Sequence, residues 1–452
     1  MGVNISNSYL ARTVSGHSKP GKETLGTVSG TAAERVVARI LQWGWDEADA
    51  VIHALDDFPH PDASAGVIKK YHNKIANIPF FTLNPSRELL ELTICANYAL
   101  VKLAQQWHKN SVSVNYLEKI SMPHLASIYG VMLAGGDYIT MWAGIPIGIP
   151  AIFQDFLEGK EGKYTIPVSG SKGGYTMRFN PKDLFGDKTP DMKAPHFLPI
   201  VSTDTLATIL SKKIPGWITG FIVETPQAGG HNAPPRGGKS EYGERDTINF
   251  DRMRDIWLPY WLAGSYASPE WLKKAHNLGA VGIQAGSIFA LSEESGMRPD
   301  LRTKILEMAY NGELTVATDW HASPTGFPFK VAQVPWTLSD DTLYTTRTRM
   351  CNEWVLRVAF ERQDGTIGYR CPGEPTAVYK IKWGDSDDTH GVKCLCNGLM
   401  GTAGLKDEIP IVTLGDTVRE FVMALLSEPD DSYSACQAID YIFWNSSPAS
   451  SQ

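Results

Sequence analysis

Gly229-Gly230-His231 is the part of this chain best suited to chemistry. It follows an apolar run, Gly220–Glu224, in the stretch Glu224-Thr225-Pro226-Gln227-Ala228-Gly229-Gly230-His231-Asn232. Two glycines let the backbone approach a bound molecule closely. An imidazole aimed at that molecule exchanges protons near neutral pH. A glycine pair is also ordinary turn material, and a histidine after it an ordinary surface residue. Two further turns consist of small residues, Ala263-Gly264-Ser265 and Gln284-Ala285-Gly286-Ser287, each after an apolar run. Their free backbone N–H groups suit a phosphate. Neither turn belongs to a GxGxxG or Walker A pattern, so a cofactor with one phosphate suits them better than a dinucleotide or nucleoside triphosphate.

These residues need a scaffold that brings strand ends together. From residue 111 onward, short apolar runs alternate with helical segments. The strands expected are Val112–Asn115, Tyr138–Trp142, Phe197–Ser202, Gly220–Glu224, Trp257–Leu262, Val281–Gln284 and Leu314–Thr318, with a weaker one near Gly26. Alternating β and α with continuously apolar strands means a parallel sheet covered by helices. Eight such units make an α/β protein of the (β/α)8 TIM-barrel kind, whose site lies at the carboxyl ends of the strands. A doubly wound sheet is the competing arrangement. On the barrel reading, Gly26, Thr27 and Val28 make room for a flat ring, Asn115 bonds its edge and Lys119 balances charge on it. Asn115 could equally cap the next turn.

Around this scaffold the sequence predicts an arm over 1–24, loosely held, and a barrel over 25–340. The barrel carries a helical insertion at 31–110 and a hairpin insertion at 154–195. A C-terminal extension follows at 341–452. Within the helical insertion, Ser86–Trp107 is the clearest helix, with Ser86 as its N-cap.

Composition bounds the rest. The 452 residues are 43% hydrophobic and 20% charged, with 42 Lys+Arg against 49 Asp+Glu, a net charge of −7. Such a chain is globular, and its acidic balance argues against nucleic-acid partners. No apolar run reaches the roughly 18–20 residues of a membrane span. The start Met1-Gly2-Val3-Asn4-Ile5-Ser6 fits the N-myristoylation pattern, which is short and common. Six cysteines form no disulfide pattern, so a reducing cytoplasm is the expected setting.

The runs ETPQAGGHN at 224–232, LGAVGIQAGSIFALSEES at 278–295 and DYITMWAGIP at 137–146 resemble the nitronate monooxygenase (2-nitropropane dioxygenase-like) family. These are FMN-dependent TIM-barrel proteins, similar to the trans-acting enoyl reductases of polyketide and polyunsaturated fatty-acid pathways. The resemblance covers about residues 25–330. It implies His231 as catalytic base and FMN phosphate on Gly264, Ser265, Gly286 and Ser287. Asn115 matches the family's flavin-edge asparagine. The cofactor-binding set expected is therefore Gly26, Thr27, Val28, Asn115, Lys119, Glu224, Gly229, Gly230, Gly264, Ser265, Gln284, Ala285, Gly286 and Ser287. The chain departs from the simple members, which read QGxEAGGHRG and lack residues 31–110 and the region after 345. The segments SPTGFPFK at 323–330, RCPGEP and CLCNGL resemble the long members and the enoyl-reductase branch.

The activity implied is FMN-dependent oxidation of a small carbon acid or nitronate, with His231 as base and oxygen as electron acceptor. An NAD(P)H-dependent enoyl reductase and a non-catalytic flavin-binding protein are the alternatives. A small-molecule substrate and a homodimer are the partners expected. Cys351, Cys371, Cys394 and Cys396 could form a metal site or remain buried thiols. His321 could line the substrate pocket or cap a loop, and Trp142 could wall the flavin site.

Overall fold

The computed structural model describes residues 2–44, 46–186, 190–238 and 240–444; the sequon at Asn445-Ser446-Ser447 lies outside them. Seven strands form one parallel sheet: β1 (Gly26–Ser29), β2 (Val112–Leu117), β3 (Tyr138–Trp142), β6 (His196–Val201), β7 (Phe221–Glu224), β8 (Tyr260–Ala263) and β9 (Gly282–Gln284). Their spatial order is β1-β2-β3-β6-β7-β8-β9. Two more, β4 (Gly162–Ile166) and β5 (Tyr175–Phe179), pair as the expected antiparallel hairpin. Val112, Val114, Ile139, Phe197, Phe221 and Leu262 are almost completely covered, as strands sandwiched between layers require.

Register aligns the carboxyl ends of these strands. Ser29 lies beside Asn115, Asn115 beside Thr140, Glu224 beside Ala263, and Ala263 beside Gln284. Strands sit about 4.8 Å apart, so a flat sheet would hold β2 and β9 roughly 24 Å from each other. Asn115 of β2 and Gln284 of β9 nevertheless line the same cavity. The sheet therefore curls, and its carboxyl rim closes around one space in the manner of a TIM barrel.

The eighth strand differs from expectation. The segment expected at Leu314–Thr318 is β10 (Thr315–Asp319), but it pairs antiparallel with β11 (Phe329–Gln333). Among the described residues no pairing joins β10 to the parallel sheet. The strand expected at Trp257–Leu262 is displaced toward its carboxyl end, because Trp257 has positive φ and is exposed. A last antiparallel pair, β12 (Val358–Glu361) with β13 (Ile367–Arg370), lies in the C-terminal region.

Within the segment expected as a loose arm, residues 8–15 pack against the rest of the protein. The segment contains helix α1 (Ser8–Gly16), whose N-cap Asn7 accepts from the Leu10 amide. Leu10, Ala11 and Val14 are buried, and Ser8 donates to the Leu100 carbonyl. The insertion after β1 supplies α2 (Ala33–Trp43), α3 (Asp46–Asp56), α4 (Pro61–Tyr71) and α5 (Arg87–Ala104). Ser86 caps α5, accepting from the Leu89 amide at 3.3 Å. Helix α5 is apolar nearly all round, and α1 to α4 and α6 (His124–Ala134) cover it.

Gly26 shows how tightly α1 seats on the sheet. A Cβ there would lie 1.9 Å from the Ala11 carbonyl oxygen and 2.8 Å from Ser15 Oγ. A Cβ at Gly286 would meet nothing within 4 Å. Gly26→Ala is expected to lose about 1–3 kcal/mol by overpacking. Gly286→Ala, at a position with negative φ, should stay within about 0.5 kcal/mol of the parent. Urea midpoints of the two variants check both outcomes.

Candidate functional site

The turn after β7 is fixed from two sides. The Gly230 carbonyl accepts from the Lys330 amide (2.9 Å), and the Asn232 amide donates to the Pro328 carbonyl (2.9 Å). His231 thus forms an antiparallel bridge with Phe329 at the start of β11. The Gly230 amide donates to Thr413 Oγ1 at 2.6 Å. Gly230 has φ of +90°, the left-handed region that glycine enters without strain. At Gly229 a Cβ would lie 2.8 Å from the Leu414 carbonyl carbon. One glycine makes the turn, and the other lets the C-terminal chain lie against it.

His231 is buried, with Nε2 2.7 Å from Ser323 Oγ and its ring edge-on to Phe329. Burial pushes its pKa down to about 3, well below the near-neutral value expected of a free base. Glu224, at the end of β7, is also buried, and burial lifts its pKa to about 8. Its Oε1 has no hydrogen-bond partner. At pH 7 the cavity therefore holds a neutral imidazole able to accept a proton and a neutral carboxylic acid able to donate one.

Asn115, Trp142, Glu224, Gly229, Gly230, His231 and Gln284 all line this cavity. Asn115 donates to Thr140 Oγ1 (2.9 Å), and the Trp142 indole donates to the His231 carbonyl (3.0 Å). Gly26, Thr27 and Val28 do not reach it. Gly26 is committed to α1 and Val28 to the core, and β1 runs on to Ser29, so Thr31 and Ala32 face the cavity instead. Lys119 lines a separate, second cavity. His321 is exposed and lines neither.

Of the small-residue turns only Gln284 is in the wall of the first cavity; Ala263, Gly264, Ser265, Ala285, Gly286 and Ser287 are not. Gly264 has φ of +96°, and a Cβ on it would be 2.3 Å from Thr225 Oγ1, so its turn abuts the segment leading to His231. Ser265 Oγ is buried with no hydrogen-bond partner. Ala285 is half-buried and Gly286 exposed, with open space at its α-carbon. Ser287 Oγ is already engaged, accepting from the Gly415 amide at 2.7 Å. The orphaned Ser265 hydroxyl, the open Gly286 backbone and the orphaned Glu224 oxygen suit a ligand with a phosphate and a polar-edged ring.

Sequence reasoning missed the C-terminal wall. Leu395, Cys396, Leu399 and Met400 come from the helix Leu395–Thr402, and with Thr413 they line the first cavity. The alternation of small and apolar residues in CLCNGLMG was the available signal. Gly2 and Val3 also reach it. Nearby, the neighbouring Cys371 sulfur, with burial, pushes the Cys351 thiol up from its ordinary pKa. Among the described residues, no group of three or more His, Cys, Asp or Glu side chains is arranged to hold a metal ion. No helix among them is long and apolar enough to cross a membrane.

No protein-family model matches the chain, and no curated protein matches it. Similar solved structures include FabK from Thermotoga maritima, 14% identical over 97% of this chain and 88% of that one, with a TM-score of 0.47. Nitroalkane oxidase from Streptomyces ansochromogenes is 11% identical over 98% and 92%, with a TM-score of 0.46. The enoyl reductase domain of MlnA from the macrolactin biosynthesis cluster of Bacillus amyloliquefaciens is 13% identical over 79% and 84%, at 0.44.

The two titrating groups give stability opposite pH slopes. His231 has a folded pKa below its ordinary 6.5, so its contribution is full above 6.5 and fades as pH falls toward about 3. Glu224 has a folded pKa above its ordinary 4.5, so its contribution is full below 4.5 and fades as pH rises toward about 8. Relative to the parent, His231→Asn should lose stability less steeply between pH 6.5 and 4. Glu224→Gln should do the same between pH 5 and 8. Each difference approaches about 1.4 kcal/mol per pH unit, the slope of one proton, and urea titrations across pH measure it.

Proposed function

We propose that the protein is an FMN-dependent oxidoreductase that oxidises a small carbon acid, or the nitronate anion formed from one, with oxygen as the electron acceptor. The observation that carries this reading is the convergence of Asn115, Glu224, His231 and Gln284, from the ends of the three strands β2, β7 and β9, onto one buried cavity. Asn115, Glu224 and Gln284 would meet the polar edge of the flavin ring. Ser265 and the Gly286 backbone would hold its phosphate. When bound, the flavin supplies the electron-transfer chemistry that no side chain here provides.

The chain's own part is positioning and proton transfer. His231 accepts a proton from the substrate carbon through its free nitrogen or by exchange at Nε2, where Ser323 orients the ring. Burial keeps that imidazole unprotonated at neutral pH. The apolar walls from Phe329, Leu395 and Leu399 exclude water, which strengthens each polar contact inside.

A second reading, an NAD(P)H-dependent enoyl reductase, is favoured by Glu224. A carboxyl still protonated at pH 7 is suited to deliver a proton to a product carbon.

The purified protein is expected to be yellow and to release FMN on heating; recovery of FAD in equal amount would overturn the assignment of the small-residue turns. Gly286→Asp should fold yet purify colourless, because a carboxylate would stand where the phosphate binds. In anaerobic mixing, His231→Asn should keep its colour while flavin reduction by a carbon acid slows by about 10²–10⁴-fold. Bleaching by NADPH that survives His231→Asn but yields no reduced alkene in Glu224→Gln would select the second reading. Flavin that no reductant bleaches would leave a binding protein without turnover.

A further inference from the structure

A second cavity, about 190 Å³ in volume, lies between the helical insertion, the loop after β2 and the C-terminal region. It shares Ile120, Val355 and Leu356 with the first, so one apolar partition separates the two spaces. Its wall carries six ionisable side chains: Glu34, Arg35, Glu118, Lys119, Glu353 and Arg357.

The carboxylates among them are already answered. Glu353, almost fully buried, is held by Arg35 at 3.4 Å, by Lys406 at 3.1 Å and by Arg39. Three cations thus serve one carboxylate. Glu34 is buried beside Arg35, and burial drives its carboxyl toward the neutral form. Glu118 accepts from the Tyr164 hydroxyl at 3.0 Å and is shifted the same way by burial.

The remaining cations have no such answer. Among the described residues, no carboxylate lies within ion-pair distance of Lys119 or Arg357. Lys119 stands 5.3 Å over the Phe327 ring. Arg357 is caged by Phe80 at 3.9 Å, Tyr369 at 4.7 Å and Trp354 at 5.6 Å, and it donates to the Phe81 carbonyl. Its Nε is buried with no hydrogen-bond partner. An aromatic cage fixes the guanidinium plane without neutralising its charge. A cavity with two cations outside any ion pair, one of them a guanidinium held in plane, and an apolar partition suits an anion with a hydrocarbon attached.

We propose that this cavity binds the anionic end, a carboxylate or phosphate, of an organic molecule whose apolar part runs along Ile120, Val355 and Leu356 toward the first cavity. That the molecule is the substrate rests on the oxidoreductase reading; the binding site itself does not.

Calorimetric titration of the full chain with hexanoate, hexyl phosphate and hexan-1-ol tests it. The two anions should bind at least about tenfold more tightly than the alcohol, and the tighter of them identifies the headgroup. Lys119→Met and Arg357→Met should each weaken the anions by about 10–100-fold, the range of a charge-assisted hydrogen bond, and leave the alcohol unchanged. Arg357→Lys, which keeps charge and loses the fork, should fall between. Lys119 is exposed, so its variant carries the test if Arg357→Met does not fold. Equal binding of all three ligands, binding of none, or anion affinities untouched by Lys119→Met would overturn the proposal. Flavin content of the same samples separates the two readings. Anion binding without flavin overturns only the oxidoreductase assignment, and flavin without anion selectivity overturns only this site.

Discussion

The backbone bridge between His231 and Phe329 is the constraint on which the candidate site depends. A loop at a strand end is ordinarily mobile, because little beyond its own turn holds it. Here the turn after β7 is paired like a strand with the start of β11, and Thr413 takes up the Gly230 amide. The imidazole is therefore placed by main-chain geometry and not by its own hydrogen bond alone. The same β11 also pairs antiparallel with β10, which joins no strand of the parallel sheet among the described residues.

Much of the architecture could be read from the chain. Continuous apolar runs such as Val112–Asn115 and Tyr138–Trp142 became strands because both faces are covered, and Ser86 capped α5 because its hydroxyl meets an orphan amide. The convergence of Asn115, Glu224 and Gln284 was legible too, since each ends an apolar run and parallel strands bring like ends together, and His231 follows in the turn after Glu224.

What stayed hidden was mostly non-local. Nothing in the residues around His231 foretells its burial, which comes from Phe329 and from the helix at 395–402, more than 150 residues away. The placement of Lys119 turned on a few residues of loop path, which aims it at Phe327 and away from the ring site. Residues 1–24 read as loose because they are polar on average. Their few apolar side chains find partners far along the chain: the Ala11 backbone lies against Gly26, and Leu10 and Val14 cluster with Ala435 and Ile439.

The contact between Gly230 and Thr413 joins positions 183 residues apart. A ribosome adding about 5–20 residues per second takes roughly 10–40 s to cover that span. The glycine–histidine turn is thus made well before its last partner leaves the exit tunnel. For that interval the cavity lacks its C-terminal wall, and the Leu395–Thr402 face has no counterpart to the nascent barrel. Completion of the pocket therefore comes late, and any small molecule that needs the closed chamber meets it only after the segment carrying residues 395–413 has docked.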